Sequence, residues 1–193
     1  GIPVNQLDRI ESLVKETNLH IRTLHIHTGS DIKDPDVFVQ GMEVLFELIP
    51  HFPELEVIDL GGGFKVPYRP GETATDIPLL AQKIKEAFDA HPIARDKKFQ
   101  LWFEPGKFLV SECGYLLAEV TVMKNTGNIE FAAVNSGLNH LIRPMMYDAY
   151  HHVLNLSNPD GPVKKYTVTG NICETDTFAA DRDLPEIREG DIQ

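Results

Sequence analysis

The stretch Val57-Ile58-Asp59-Leu60-Gly61-Gly62-Gly63 decides how this chain is read. An apolar run that ends in three glycines reads as a buried strand leaving its sheet. Backbone without side chains at such a strand end can close on a ligand, and its exposed amides suit a phosphate or another anion. The next run of this kind, Phe99 to Phe103, leads into a second tight turn, Glu104-Pro105-Gly106. Two such turns, one carrying a carboxylate, point to a phosphorylated cofactor at the mouth of a parallel β/α structure.

Working outward, Leu7, Ile10, Leu13 and Val14 fall on one helical face between Gln6 and Glu16, and Asn18 stops that helix. A strand is expected over Leu19 to His27. Pro35 then opens a second helix, with Val37, Phe38, Met42, Leu45, Phe46 and Ile49 in helical period up to Pro50. The pattern repeats as a strand at Glu56 to Leu60, a helix at Ile77 to Ala90 and a strand at Phe99 to Phe103. Strands separated by helices imply right-handed parallel crossovers. Three such strands fit either the last part of an eight-stranded barrel or half of an open sheet. Beyond Gly106 the period changes. The runs Tyr115 to Met123, Ile129 to Val134 and Tyr166 to Thr169 are β-prone, and Asn125-Thr126-Gly127-Asn128 is a hairpin signal. The expectation is an α/β chain with a β/α part over residues 1–106 and a β-rich domain over residues 107–193. Residues 188–193 read as a turn entering another strand.

Composition is ordinary for a globular protein, with 42% hydrophobic and 24% charged residues among 193. No stretch is apolar for the roughly 18 residues that a membrane span needs. The net charge of −11 is spread along the chain, which argues against nucleic-acid binding through a broad basic surface. Cys113 and Cys173 lie far apart and form no metal-spaced pair, as expected of a reduced, cytoplasmic protein. The start, Gly1-Ile2-Pro3-Val4, resembles neither a signal peptide nor an ordinary gene start, and a piece of a longer protein is expected.

His25 and His27 alternate across Ile26 at the C-terminal end of a strand, where β/α proteins keep their sites. Three roles are open to them: a metal pair, an imidazole packed on a flat ligand with Ser30 and Gly29 binding an anion, or interior histidines that merely find hydrogen bonds. Glu104 can cap a helix or pair with Arg. Beside two anion-suited turns it can also hold the ring nitrogen of pyridoxal phosphate protonated, which makes that ring an electron sink. Arg143, flanked by apolar residues, offers a fork for a carboxylate or serves a structural role, and Tyr147 can add a hydroxyl to the same substrate. Cys173 is either a buried thiol or a proton donor.

Five motifs in order, His25-Ile26-His27-Thr28-Gly29-Ser30, Gly61-Gly62-Gly63, Glu104-Pro105-Gly106-Lys107, the run from Gly137 to His151, and Cys173-Glu174-Thr175-Asp176, together resemble the diaminopimelate decarboxylase family. That family belongs to the alanine-racemase-like, fold-type III pyridoxal-phosphate enzymes. The resemblance implies the C-terminal part of a TIM-like β/α barrel followed by a β-domain, both truncated here. It also implies a cytoplasmic homodimer with shared sites. His27 would stack on the cofactor ring. Ser30 and Gly61 to Gly63 would hold its phosphate, and Glu104, with Pro105, Gly106 and Lys107 in the same turn, would face its nitrogen. Arg143, Tyr147 and Lys107 would contact substrate. Cys173 would donate the proton, and Glu174 would hold the substrate's distal amino acid end. The implied reaction converts meso-diaminopimelate, a small amino acid, to L-lysine and carbon dioxide.

The chain departs from the family pattern twice. Lys107 stands where the family usually has Arg, which keeps the charge but gives up a bidentate grip. The Schiff-base lysine, carried by the family on an early barrel strand, is expected before Gly1, and the family's late Tyr beyond Gln193. The 193 residues alone are therefore expected to be inactive. The alternatives are a related decarboxylase for carboxynorspermidine or arginine, a metal-dependent barrel hydrolase using His25 and His27, and a non-catalytic remnant that binds phosphate.

Overall fold

The computed structural model describes all residues from Gly1 to Gln193. They form two compact units, one of Gly1–Pro67 with Thr73–Cys113 and the other of Tyr68–Glu72 with Gly114–Gln193.

In the first unit, α1 (Leu7–Thr17) ends where Asn18 takes a left-handed conformation and returns its N–H to the Val14 carbonyl. The strands β1 (Thr23–His25), β2 (Val57–Asp59) and β3 (Gln100–Trp102) lie side by side in that order, all parallel. The helices α2 (Asp36–Leu48) and α3 (Ile77–Ala90) are the crossovers that parallel pairing requires. Phe38, Met42, Leu45 and Phe46 of α2 are buried in one cluster with Ile58, Leu60, Leu80 and Ile84. Phe38 also stacks on Phe64 at 5.0 Å, and a fully buried side chain of this size contributes about 1.5–3 kcal/mol. Asp76 caps α3 by accepting the Leu79 N–H at 2.9 Å. The short helices α4 (Pro92–Asp96) and α5 (Gly106–Val110) are too brief to show a hydrophobic period and were not anticipated from it.

The paired strands are shorter than the apolar runs that contain them, yet hydrogen bonding continues past their ends. The Ile26 N–H donates to the Asp59 carbonyl, Leu60 to Trp102, and Glu104 to Gly61. These bonds fix the three strand-end loops in register with one another.

The second unit holds a four-stranded sheet in chain order: β4 (Val120–Thr126), β5 (Ile129–Val134), β6 (Val163–Thr169) and β7 (Thr177–Pro185). The β4/β5 and β6/β7 pairs are antiparallel, whereas β5 and β6 run parallel. The hairpin loop is Gly127-Asn128 alone, since Asn125 and Thr126 remain in β4. The β-prone run from Tyr115 enters the sheet only at Val120. Before that, Ala118 and Gln193 exchange backbone bonds and Glu119 bridges Ile192, so the residues after the 188–191 turn do return to the sheet. The strand β7 was not expected. Asp181, Arg182 and Asp183 interrupt its apolar alternation, and Asp181 adopts a positive φ of 51° at an irregularity in the pairing with β6. The core gathers Val120, Ala132, Val134, Tyr166, Val168, Phe178, Leu184 and Ile187. No helix of the chain is long and apolar enough to cross a membrane.

Candidate functional sites in the two units

In the first unit the strand ends converge. The parallel register sets His25 beside Asp59 and Asp59 beside Trp102, with Glu104 two residues further on. His25 Nε2 lies 3.3 Å from Glu104 Oε2. Asp59 is buried, and its Oδ1 accepts the Gly61 N–H at 2.9 Å. The Gly62 N–H points at His27 Nδ1 at 3.4 Å, so the glycine loop lies against that edge of the imidazole.

The glycines here are a packing necessity. A Cβ on Gly62 would lie 2.1 Å from the Glu104 carbonyl oxygen, and one on Gly63 2.0 Å from that of Gly29. Gly63 also has a φ of +91°, a conformation that side chains rarely allow. The His27-Ser30 loop, the glycine loop and the Glu104-Pro105-Gly106 turn are therefore in main-chain contact. Lys107, in the first turn of α5, forms an ion pair with Asp31, whose own φ is +56°. Ser30 and Glu104 are exposed.

The donor set fits pyridoxal phosphate. An imidazole stands beside a tightly packed glycine loop that excludes any Cβ, a hydroxyl stands on the adjoining loop, and an accessible carboxylate is available for a protonated ring nitrogen. A divalent cation has a different set available to it. His25, Asp59 and Glu104 bring one ligand atom each within 4.8 Å of one another, while His27 turns to the glycine loop instead. The His25–His27 metal pair, one of the three roles open to these residues, is thus not the group that the fold assembles.

In the second unit, Arg143 opens α6 (Arg143–Tyr147). Its guanidinium carbon sits 5.1 Å from the ring centre of Tyr68 and 5.9 Å from that of Tyr147. The Tyr68 ring meets His151 edge-on at 5.8 Å. Burial, and then the Arg143 charge, push the His151 imidazole below its ordinary pKa, favouring the neutral form at pH 7. Arg143 Nε and His151 Nε2 are both shielded from solvent without a hydrogen-bond partner. Cys173 and Glu174 are exposed on the turn between β6 and β7. Buried Asp176, three residues after the cysteine, binds the backbone of that turn.

Sequence reasoning singled out His25, His27, Ser30, the three glycines, Glu104 to Lys107, Arg143, Tyr147, Cys173 and Glu174. It passed over Asp59, Asp31, Tyr68 and His151. Asp59 carried a usable signal, as the one charged residue in an otherwise apolar strand core. Tyr68 carried none, because it reaches Arg143 from far away in sequence.

With this geometry in hand, comparison with known proteins is direct. The family described as pyridoxal-dependent decarboxylase, C-terminal sheet domain, matches residues 33–193. The chain belongs to this family. It is 40% identical over 180 residues to the diaminopimelate decarboxylase of Methanothermobacter thermautotrophicus, an alignment covering 88% of this chain and 41% of the relative. A crystal structure of a diaminopimelate decarboxylase superposes over the whole chain and 49% of its own, with a TM-score of 0.91 and 30% identity. The M. jannaschii enzyme, solved in complex with L-lysine, covers the whole chain and 46% of its own at a TM-score of 0.85 and 28% identity. The chain spans less than half the length of each of these relatives.

Proposed function

We propose that this chain is part of a pyridoxal-phosphate-dependent diaminopimelate decarboxylase, producing L-lysine and carbon dioxide from meso-diaminopimelate in the cytoplasm. The reading divides the chain into residues 1–106, as the C-terminal part of a cofactor-binding β/α barrel, and residues 107–193, as the β-rich domain. The observation that carries the reading is the main-chain contact among three strand-end loops, which sets the glycine loop against His27 and leaves no room there for a side chain.

In this reading the cofactor, when bound, supplies the electron sink for the pair left behind by the departing carboxylate. The protein supplies position and charge. His27 offers a flat face for stacking. Ser30 and the Gly61 to Gly63 loop hold the phosphate, with the Gly61 and Gly62 amides already donating to Asp59 Oδ1 and His27 Nδ1. Glu104 holds the proton on the ring nitrogen, and its backbone bond to Gly61 ties that carboxylate to the phosphate loop. Arg143 and Tyr147 bind the substrate carboxylate, and the solvent-shielded Nε–H of Arg143 is a donor awaiting such an acceptor. Lys107 contributes a point charge held by Asp31. In a homodimer with shared sites, Cys173 delivers the proton to the product and Glu174 holds the distal amino acid end. The Schiff-base lysine is supplied from outside these residues.

The test uses the full-length protein loaded with pyridoxal phosphate and offered meso-diaminopimelate, carboxynorspermidine and arginine separately. Lysine formation from the first alone is expected. Preferential turnover of either other substrate would replace the substrate assignment, and bound cofactor without turnover would favour the non-catalytic remnant. Borohydride reduction followed by mass mapping should label a lysine outside residues 1–193.

A further inference from the structure

Asp176 is 5% exposed and has no cationic side chain among its bonding partners. Its Oδ1 accepts the Leu138 N–H at 2.9 Å, and its Oδ2 accepts the Ile172 N–H at 3.0 Å. Its own carbonyl accepts the Gly170 N–H at 2.7 Å, while the Asn171 N–H donates to the Ser136 carbonyl at 3.0 Å. The fit is close: a Cβ at Gly137 would lie 2.7 Å from Oδ2, and one at Gly170 only 2.1 Å from it. A buried carboxylate is costly unless its oxygens are hydrogen-bonded. Here each oxygen takes a backbone amide from a different stretch of chain.

Those two stretches carry the second unit's chemistry. Leu138 begins the run that reaches Arg143 and Tyr147, and Ile172 directly precedes Cys173 and Glu174. The carboxylate therefore braces the thiol-bearing turn against the segment that leads to the guanidinium.

We propose that Asp176 is a positioning residue for the proton-donating thiol, holding the Cys173-Glu174 turn at a fixed place against the Gly137-Leu138 backbone. The proposal rests on the reading of Cys173 as proton donor. Asn in its place keeps one acceptor but turns an NH2 group toward the second amide, so one of the two braces is lost. Misplacing a reacting group by about 1 Å can cost on the order of a hundredfold in rate. Glu174 shares the braced turn, so its hold on the substrate's distal end should loosen with it.

The experiment is a double-mutant cycle in the full-length, cofactor-loaded protein, using Asp176→Asn, Cys173→Ala and the pair. Asp176→Asn is expected to lower kcat by about a hundredfold, to raise KM through the displaced Glu174, and to change the rate at which iodoacetamide alkylates Cys173. In the Cys173→Ala background it should lower kcat by less than about twofold further, because the residue it positions is already gone. Multiplicative losses, or an unchanged alkylation rate, would overturn the proposal and leave Asp176 a purely structural brace. If Asp176→Asn fails to fold, Gly137→Ala replaces it, since its Cβ displaces the same carboxylate while leaving the charge, and the same non-additivity is expected. The cycle runs on whichever substrate the wild type decarboxylates, so an error in substrate leaves it intact. A Cys173→Ala variant with full activity sinks the donor reading and this proposal together, and is recognisable as a single-variant result.

Discussion

In the first unit, the residues proposed to hold the cofactor sit on loops whose main chains touch, with carbonyl oxygens so close that three consecutive positions admit only glycine. In the second, the residues proposed to meet the substrate are side chains on longer segments: Arg143 among aromatic rings, and Cys173 and Glu174 exposed on a turn braced by one carboxylate. The difference teaches where tolerance to change lies. A site made of backbone contact fails when any atom is added, whereas a site made of braced side chains fails only when its brace or its reacting atoms are removed.

Four substitutions test that contrast, each read by denaturant or acid unfolding of the full-length protein. Gly63→Ala combines a positive φ with overlap on the Gly29 carbonyl and should cost about 4 kcal/mol, with loss of phosphate affinity. A loss under about 1 kcal/mol would show that the loop can give way and would erase the contrast. Tyr166→Phe strands the Ile187 N–H, now bonded to the phenol oxygen at 3.1 Å in the core of the second unit, at about 2 kcal/mol. An unchanged midpoint would mean that water replaces the phenol. Gly127→Ala shares the positive φ of Gly63 but faces open space, so about 1 kcal/mol is expected. Equal costs at Gly63 and Gly127 would assign both to backbone strain rather than contact.

The smallest effect concerns pH. Lys164, and then Arg188, hold the Glu186 carboxyl down at about 2, below its ordinary 4.5. The folded state therefore benefits from this cluster above about pH 4.5 and loses the benefit as pH falls toward 2. Glu186→Gln should flatten the acid limb of the stability curve in that window, and superimposable limbs would contradict it.

The two units were also unequally legible. The β/α order of the first could be read because each strand was a short apolar run and each long helix kept a helical period, as in α3, whose observed ends are the expected ones. The strand-end loops advertised themselves through glycine and proline. The second unit gave up its hairpin and β6 but hid β7, because charged residues on an edge strand break the alternation that marks a strand. The segment from Gly137 to His151 has neither period nor turn signature strong enough to read alone; Arg143 and Tyr147 stand out there by their side-chain chemistry alone. The partners of those residues, Tyr68 and His151, come from contacts that sequence spacing does not encode. Asp176 was visible only as the last letter of a motif, since hydrogen bonds to distant backbone leave no trace in local pattern.

The parallel pairing of β5 with β6 has a kinetic consequence. The hairpin of β4 and β5 closes over two residues and can form within microseconds, whereas β6 cannot join it until residues 135 to 162 have been gathered into a crossover. Loop-closure entropy must be met before that pairing returns any hydrogen bonds, so docking of β6 is the natural slow step in assembling this sheet. The stretch that has to wait is the one bearing Arg143, Tyr147 and His151, and its binding groups therefore come together only after the hairpin beside them is already in place.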